Sequence, residues 1–422
     1  MKTTHFKYLL LSVSTGISLF FAALANAQPL DQILILTTQF NQAAQYNKMS
    51  PFARQAGLAL AFVYAETAST QQLEQAFSQA RMVLIDSPRQ SDWQIIEKKA
   101  LPYLEAGTTP WLEASGSAKP YAGMPAPTAQ TIQQYYENGT EQNWSLMFRY
   151  VHAFLHNEES GQIPGPIIFG KTGFYHPKHA RLFNTLQEYE KHENQPLHSS
   201  NSSIGFMVSK GTFGAQQTEV IDYIVQAAEL MGIRPLVFWA ENLPAEEKEN
   251  FLKSLPVQAL VNMTHIQGAD NTRLFESLNI PVIQTFSYRT NEPGKAWEQA
   301  ASGINLNQVA IFLALPETWG LIEPTVISEK RRDTIVPLTD QIDRLLMRLR
   351  KLTALQNLPN KDKKIALMLW NHPDNDKSIS ASGMNIPKSL VTLIPGMQQA
   401  GYQFNSLDEQ TLIERLQQLL KA

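Results

Sequence analysis

No cysteine occurs among the 422 residues. Disulfides and thiolate metal sites are therefore excluded. Any metal has to be held by histidine, carboxylate, backbone oxygen or atoms that a ligand brings. A charge of one sign is missing as well: 35 Lys and Arg stand against 38 Asp and Glu, a formal net charge of −3. That balance leaves no electrostatic footprint for nucleic acid or for an anionic membrane. Low-complexity tracts are absent, since the 24 prolines and 21 glycines are scattered as punctuation. Beyond residue 27 no stretch approaches the roughly 18 uninterrupted apolar residues of a spanning helix. What is there is an ordinary globular composition, 43% hydrophobic and 17% charged, long enough for two or three domains.

Residues 1–27 read as an export signal. Lys2 and Lys7 supply the positive end, Leu9 to Leu24 an apolar stretch diluted by serine, and Ala25-Asn26-Ala27 a cleavage box. The expectation is a periplasmic protein whose mature chain begins at Gln28. Asn-x-Ser/Thr sequons at Asn138, Asn143, Asn201 and Asn262 are read as chance matches behind a bacterial-type leader.

Strand and helix signals alternate along the rest. Strands are expected at Gln32–Thr37, Arg81–Asp86, Pro166–Phe169, Ser203–Ser209, Arg234–Trp239, Val257–Asn262, Pro281–Gln284 and Lys364–Leu369. Helices are expected at Pro51–Tyr64, Thr128–Glu137, Asn143–His156, Ala215–Met231, Ala245–Leu255, Ala269–Leu278, Leu338–Leu352, Pro387–Gly401 and Leu407–Leu420. A further helix, capped by Ser91, runs to Leu104. The pattern predicts a multi-domain α/β protein with Rossmann- or flavodoxin-like parallel sheets and flanking helices. Domains are placed at 28–200, 201–356 and 357–422, the last an incomplete third α/β unit.

Two signatures follow apolar runs: Gly173-Phe174-Tyr175-His176-Pro177 and Trp370-Asn371-His372-Pro373. In open α/β sheets ligands sit beyond the carboxyl ends of the strands. An imidazole placed there can ligate a metal or move a proton near neutral pH. His179 shares a helical face with His176 if a helix begins at Pro177. The bland alternative makes Tyr175 and His176 a hydrogen-bonded corner. Asn371 to Asp376 fails the EF-hand pattern. His152 and His156, spaced i, i+4, lack the Glu of a zinc helix and read as a solvent-facing or core pair. Ser209-Lys210-Gly211-Thr212-Phe213-Gly214 lacks the Walker ending, so no directly bound nucleotide is expected.

These signatures stand in order with other segments: Tyr135 to Asn143 with its glycine turn, Ala259 to Thr264 ending in Asn-x-Thr, Pro316-Glu317 with Gly320 to Pro324, Pro359 to Ala366, and Gly383 to Leu390. Together they resemble the tetrapyrrole-binding large subunit of the cobalt and magnesium chelatases, the CobN/magnesium-chelatase H family. The resemblance implies insertion or removal of a divalent metal (cobalt, magnesium or iron) in a corrin or porphyrin ring. It implies His176 and His372 as catalytic groups and His176 and His179 as metal ligands. Tyr175, Asn262, Thr264, His265 and Asn371 become contacts to the tetrapyrrole. In the family, ATP is hydrolysed by separate AAA+ subunits, and members are far longer. One expected partner is therefore another chain carrying the missing C-terminal part of the fold. An exported relative, outside the ATP pool, points to capture or removal of metal, and the rival reading is a non-catalytic periplasmic tetrapyrrole- or metal-binding protein. An inactive remnant is the third.

Overall fold

The buried aliphatic runs of the sequence become central strands of two parallel-rich sheets. The computed structural model describes residues 30–421 except 117, 180, 194–201, 216, 267–270, 290–296, 300–302, 332–333, 369–379, 382 and 406–407. The first sheet contains β1 (Asp31–Thr37), β2 (Leu58–Tyr64), β3 (Ala80–Asp86), β4 (Trp111–Glu113) and β5 (Tyr121–Ala122), in the order β2-β1-β3-β4-β5. All pairings are parallel except that of β5, which turns back. Its helices are α1 (Ala43–Gln55), α2 (Thr70–Gln79), α3 (Gln90–Ala106), α4 (Ala126–Glu137) and α5 (Thr140–Leu155). Tyr46, Met49, Ile132, Tyr135, Trp144 and Met147 from α1, α4 and α5 cover one face. Leu73, Ile96 and Ala100 from α2 and α3 cover the other. Ile33 to Leu36 are fully buried for that reason, and a strand covered twice reads as an unbroken apolar run.

The second sheet holds β6 (Thr172–Tyr175), β7 (Ser203–Met207), β8 (Arg234–Ala240), β9 (Ala259–Asn262), β10 (Val282–Tyr288), β11 (Ile322–Arg331) and β12 (Thr334–Pro337). Their order is β12-β11-β10-β9-β7-β8-β6. The five inner strands run parallel, while β6 and β12 close the edges antiparallel. Counted from β7, the parallel strands repeat the 2-1-3-4-5 order of flavodoxin-like sheets, as the first sheet does. Around them lie α6 (Leu186–Glu193), α7 (Lys210–Gly214), α8 (Glu219–Leu230), α9 (Ala245–Ser254), α10 (Asn271–Leu278), α11 (306–318, with a π-turn over Ala310–Ala314) and α12 (Thr339–Asn357). α8 and α12 bury Ile221, Ile224, Ile342 and Leu346 against one face. α6, α9 and α10 bury Tyr189, Leu252 and Leu274 against the other. The arginines of α12 (Arg344, Arg348 and Arg350) face solvent, as expected of its polar side.

Several expectations are corrected. Pro51–Tyr64 is not one helix: α1 already runs from Ala43, ends before Gly57 at φ +79°, and Leu58 begins an edge strand rich in apolar side chains. Ser91 lies inside α3 rather than capping it, and the Asp92 carboxylate accepts from the Arg89 backbone N–H instead. The run 166–169 pairs with no strand. Asn143 accepts from Ile167 N and donates to Ile167 O, both at 2.9 Å, and Asn138 accepts from Phe169 N. The strand is Thr172–Tyr175, inside the signature, and it joins the second sheet, so that sheet begins well before residue 200. Residues 364–368 form no strand among the described residues; Leu367 is 53% and Met368 98% exposed. Beyond them α13 (Ile386–Gln399) packs against α14 (Glu409–Lys421), and Asn360 ties to Ala400 O at 2.8 Å. Asn371 and His372 lie outside the described residues.

The two halves meet at a glycine pair. Gly139, at φ +41°, places its Cα so close to Gly214 that a Cβ would lie 2.1 Å from the Gly214 Cα. Lys210 Nζ bonds Asn138 Oδ1 and Phe169 O beside it. Replacing Gly139 by Ala meets backbone that cannot yield, in a conformation L-residues avoid, so Gly139→Ala is expected to cost about 2 kcal/mol or more. Gly161, with no neighbour within 4 Å, is the control, and Gly161→Ala should stay within about 0.5 kcal/mol. Urea denaturation midpoints measure both.

Candidate functional site

Three places merit comparison: the carboxyl ends of each sheet, and the histidine corner. In the first sheet the switch point between β1 and β3 is filled from within. Asp86, 3% exposed, accepts from Tyr46 Oη at 2.8 Å, Tyr136 Oη at 2.7 Å and Ser115 Oγ at 2.5 Å. Burial raises its pKa, outweighing the three hydroxyls that stabilise the carboxylate. This network ties α1, α4 and the loop after β4 to the end of β3.

In the second sheet, Asn262 and Thr264 stand at the end of β9, next to β7. Asn262 is fully buried and committed to its own turn. Its amide donates to Gln284 Oε1 at 2.7 Å and Thr264 O at 3.0 Å, and its oxygen accepts from Thr264 N and Oγ1. The His265 ring lies 6.0 Å from that of Phe312. The carboxyl ends of the two sheets face each other here. Lys330 Nζ, near the end of β11, donates to Gln39 O at 3.3 Å. Arg89 lies 3.7 Å over the Phe40 ring, and burial together with the Arg89 charge lowers the pKa of Arg289.

His176 is elsewhere. Because β6 runs antiparallel to β8, with Tyr175 opposite Val237, the signature points toward the amino ends of the parallel strands. The expectation of a site beyond the carboxyl ends fails for this histidine. The glycine of the signature has a steric cause: a Cβ on Gly173 would lie 2.0 Å from the Trp239 indole, which donates to Gly170 O at 3.1 Å. Tyr175 donates to Asp222 at 2.7 Å; burial and this carboxylate raise its pKa. His176, 1% exposed, begins a turn closed by His179 N to His176 O at 3.1 Å, so both imidazoles face the same side, ring centroids 5.7 Å apart. His176 Nε2 lies 3.2 Å from Glu229 Oε1, a carboxylate also held by Lys178 Nζ at 2.7 and 2.9 Å. Burial lowers the His176 pKa despite the carboxylates of Glu193 and Glu229, favouring the neutral ring. Glu193, from the last turn of α6, reaches within 2.5 Å of His179 Nε2. Donor atoms of His176, His179 and Glu193 all lie within 4.8 Å of one another.

His179 also lines a half-open cavity of about 590 Å³ along the outer side of β6. Phe169, Tyr175 and Phe213 give it aromatic walls, and Arg181 and Asn184 its polar ones. The sequence signatures located Tyr175, His176 and His179 at one place, but the structure leaves Asn262, Thr264 and His265 at another end of the sheet. Glu193 and Glu229 carry no motif; only the folding of α6 and α8 onto β6 brings them in. His152 and His156 stack on each other at 4.3 Å, beside Glu158 and Asp31, away from this corner.

Fold and corner together describe an α/β protein with two flavodoxin-like sheets and a donor-lined pocket on an edge strand. Comparisons with known proteins make this specific. The family model described as CobN/Magnesium Chelatase matches residues 133–421, and the chain belongs to that family. It is 22% identical over 308 residues to the magnesium-chelatase large subunit, ChlH-type, of Rhodobacter capsulatus, covering 65% of this chain and 26% of that protein. To the aerobic cobaltochelatase subunit CobN of Pseudomonas aeruginosa it is 24% identical over 304 residues, 67% of this chain and 24% of the relative. The catalytic subunit of cobaltochelatase from Mycobacterium tuberculosis shares the fold, with a TM-score of 0.66 at 18% identity, over 92% of this chain and 33% of that one. The chain thus spans a quarter to a third of the length of these relatives.

The Asp86 network yields a pH test. Because its folded pKa is raised, the folded state keeps a proton that the unfolded chain loses as pH rises past the ordinary value of 3.8. Its contribution is fully present below that value and is lost as pH rises through the folded pKa. Asp86→Asn carries no such titration. Urea stabilities of both proteins from pH 3 to 7 should therefore show the variant gaining on the wild type as pH rises; a constant gap contradicts an elevated Asp86.

Proposed function

We propose that this chain acts on metal–tetrapyrrole chemistry, holding a corrin or porphyrin ring in the cavity along β6 while a divalent metal is inserted or removed. One observation carries the reading: His179 belongs both to the wall of the cavity and to a cluster of metal-type donors. A cavity of about 590 Å³ falls within the range of small-molecule sites. Phe169, Tyr175 and Phe213 offer flat faces to a macrocycle, and Arg181 a partner for its carboxylates. Placing a divalent ion in a free ring releases two pyrrole protons. His179 at the wall, with neutral His176 behind it, supplies acceptors for them. The role expected of His372 and Asn371 stays part of this proposal. Cobalt, magnesium and iron all remain open as the metal, and a chain bearing the rest of the family fold remains a proposed partner. We further propose export to the periplasm, on the strength of the 1–27 leader, where removal or capture needs no ATP.

Titration of the mature protein with haem, a free porphyrin and a cobalt corrinoid tests the ring. A saturable shift of the ring's main absorption band that weakens at least tenfold in Phe213→Ala and Arg181→Ala is expected. No shift from folded protein with any ring overturns the reading. Excess ring separates the rivals: a catalyst changes the metallation state of many equivalents, whereas a binding protein stops at one. Export is checked by N-terminal sequencing of protein from the periplasmic fraction, with Gln28 expected as the first residue; an intact Met1 in the cytoplasmic fraction contradicts it.

A further inference from the structure

We propose that His176, His179 and Glu193 form a binding site for a divalent transition metal ion that this chain holds without any ring. The inference does not depend on what fills the neighbouring cavity, because it rests on the donors alone. Two donors on one ion bonded at about 2.0–2.2 Å lie no more than about 4.4 Å apart. The widest separation in the cluster, 4.8 Å, has to close by only a few tenths of an ångström. Backbone supports the donors from two directions. His176 and His179 are fixed by the turn after β6, and Glu193 by α6, whose Tyr189 is buried against Phe174 and Phe183.

The surroundings match a ligating histidine. Glu229 takes the Nε2–H of His176 at 3.2 Å and is itself clamped by Lys178. This carboxylate fixes the ring and its tautomer. The Nδ1 lone pair then meets only the Lys178 backbone N–H, at a long 3.3 Å. Glu193 is poised against His179 Nε2 at 2.5 Å, and an ion entering between them replaces that proton. Two imidazoles and one carboxylate leave coordination positions open, the arrangement of exchangeable rather than closed sites. With no cysteine in the chain, no thiolate competes. Nitrogen donors favour cobalt, nickel or zinc over magnesium and calcium, which prefer all-oxygen shells.

The test uses tag-free mature protein and no tetrapyrrole. Co²⁺ is titrated by calorimetry and by its visible ligand-field absorption, with Zn²⁺ and Mg²⁺ as competitors. One equivalent of Co²⁺ is expected, displaced by Zn²⁺ and not by Mg²⁺. Glu193→Gln and His179→Gln should each weaken binding at least tenfold, and Glu229→Gln by about tenfold through the tilt of His176. A His152→Gln/His156→Gln double variant should change nothing. Thermal melts check that each variant is folded, and Glu193→Gln alone suffices should the histidine variants unfold. Absence of saturable binding, or loss that follows His152 and His156 instead, overturns the proposal. A positive ring titration alongside a negative metal titration would remove this site and leave the ring reading intact.

Discussion

The Trp239 indole lying on Gly173 is the contact from which the histidine corner follows. Nothing larger than a hydrogen fits at residue 173, so β6 can approach β8 closely enough to form the edge ladder. Once that ladder is set, Tyr175 turns toward Asp222 and His176 toward Glu229. Both partners belong to α8, the helix that precedes β8 in sequence and covers the same sheet. The corner is thus assembled from an edge strand and a helix that the sheet's own topology brings together. Its polar groups are satisfied by charge-assisted partners, which suits a buried imidazole better than an apolar pocket would.

The approach to that edge is governed by side-chain amides. Asn143 offers Ile167 the donor and acceptor that a neighbouring strand would supply, and Asn138 does the same for Phe169 N. The chain therefore crosses from the first half to the second as an extended segment stitched to α4 and α5. Lys210 binds the same Asn138 and the same segment. Its ammonium, lowered in pKa by burial, gains from two oxygen acceptors what it loses in water. These contacts explain why a glycine turn and two asparagines stand together far upstream of the signature they support. Burial of Asn138, Asn143 and Asn262 also removes them as glycan acceptors in the folded chain, in agreement with reading those sequons as chance.

Much of the architecture is legible in the sequence because both sheets are covered on both faces. Runs such as Gln32–Thr37 and Arg234–Trp239 announce themselves by apolarity alone, and the helices between them by period. The misreadings share one cause, which is that an apolar run does not reveal its partner. Leu58–Tyr64 continues the pattern of α1 and reads as helix, although Gly57 marks the break. Residues 166–169 and 364–368 have strand composition without a strand beside them. For the site, the histidines are visible as a motif and their location is not, since nothing local says that β6 runs antiparallel. Glu193 lies in a polar helix and meets His179 only through tertiary packing, so no spacing rule could find it. Asn262 and Thr264 are visible as a strand end, but their hydrogen bonds turn inward.

The antiparallel course of β6 sets the corner and the basic crevice at opposite ends of one sheet. A strand such as β7, five residues long, spans about 17 Å. Occupants of the two places are therefore separated by the length of the hydrogen-bonded ladder and cannot touch. Neither excludes the other, so both compartments can be filled at once and in either order. Any influence between them has to travel through β7, β8 and the turn at Asn262, as a shift of rigid strands.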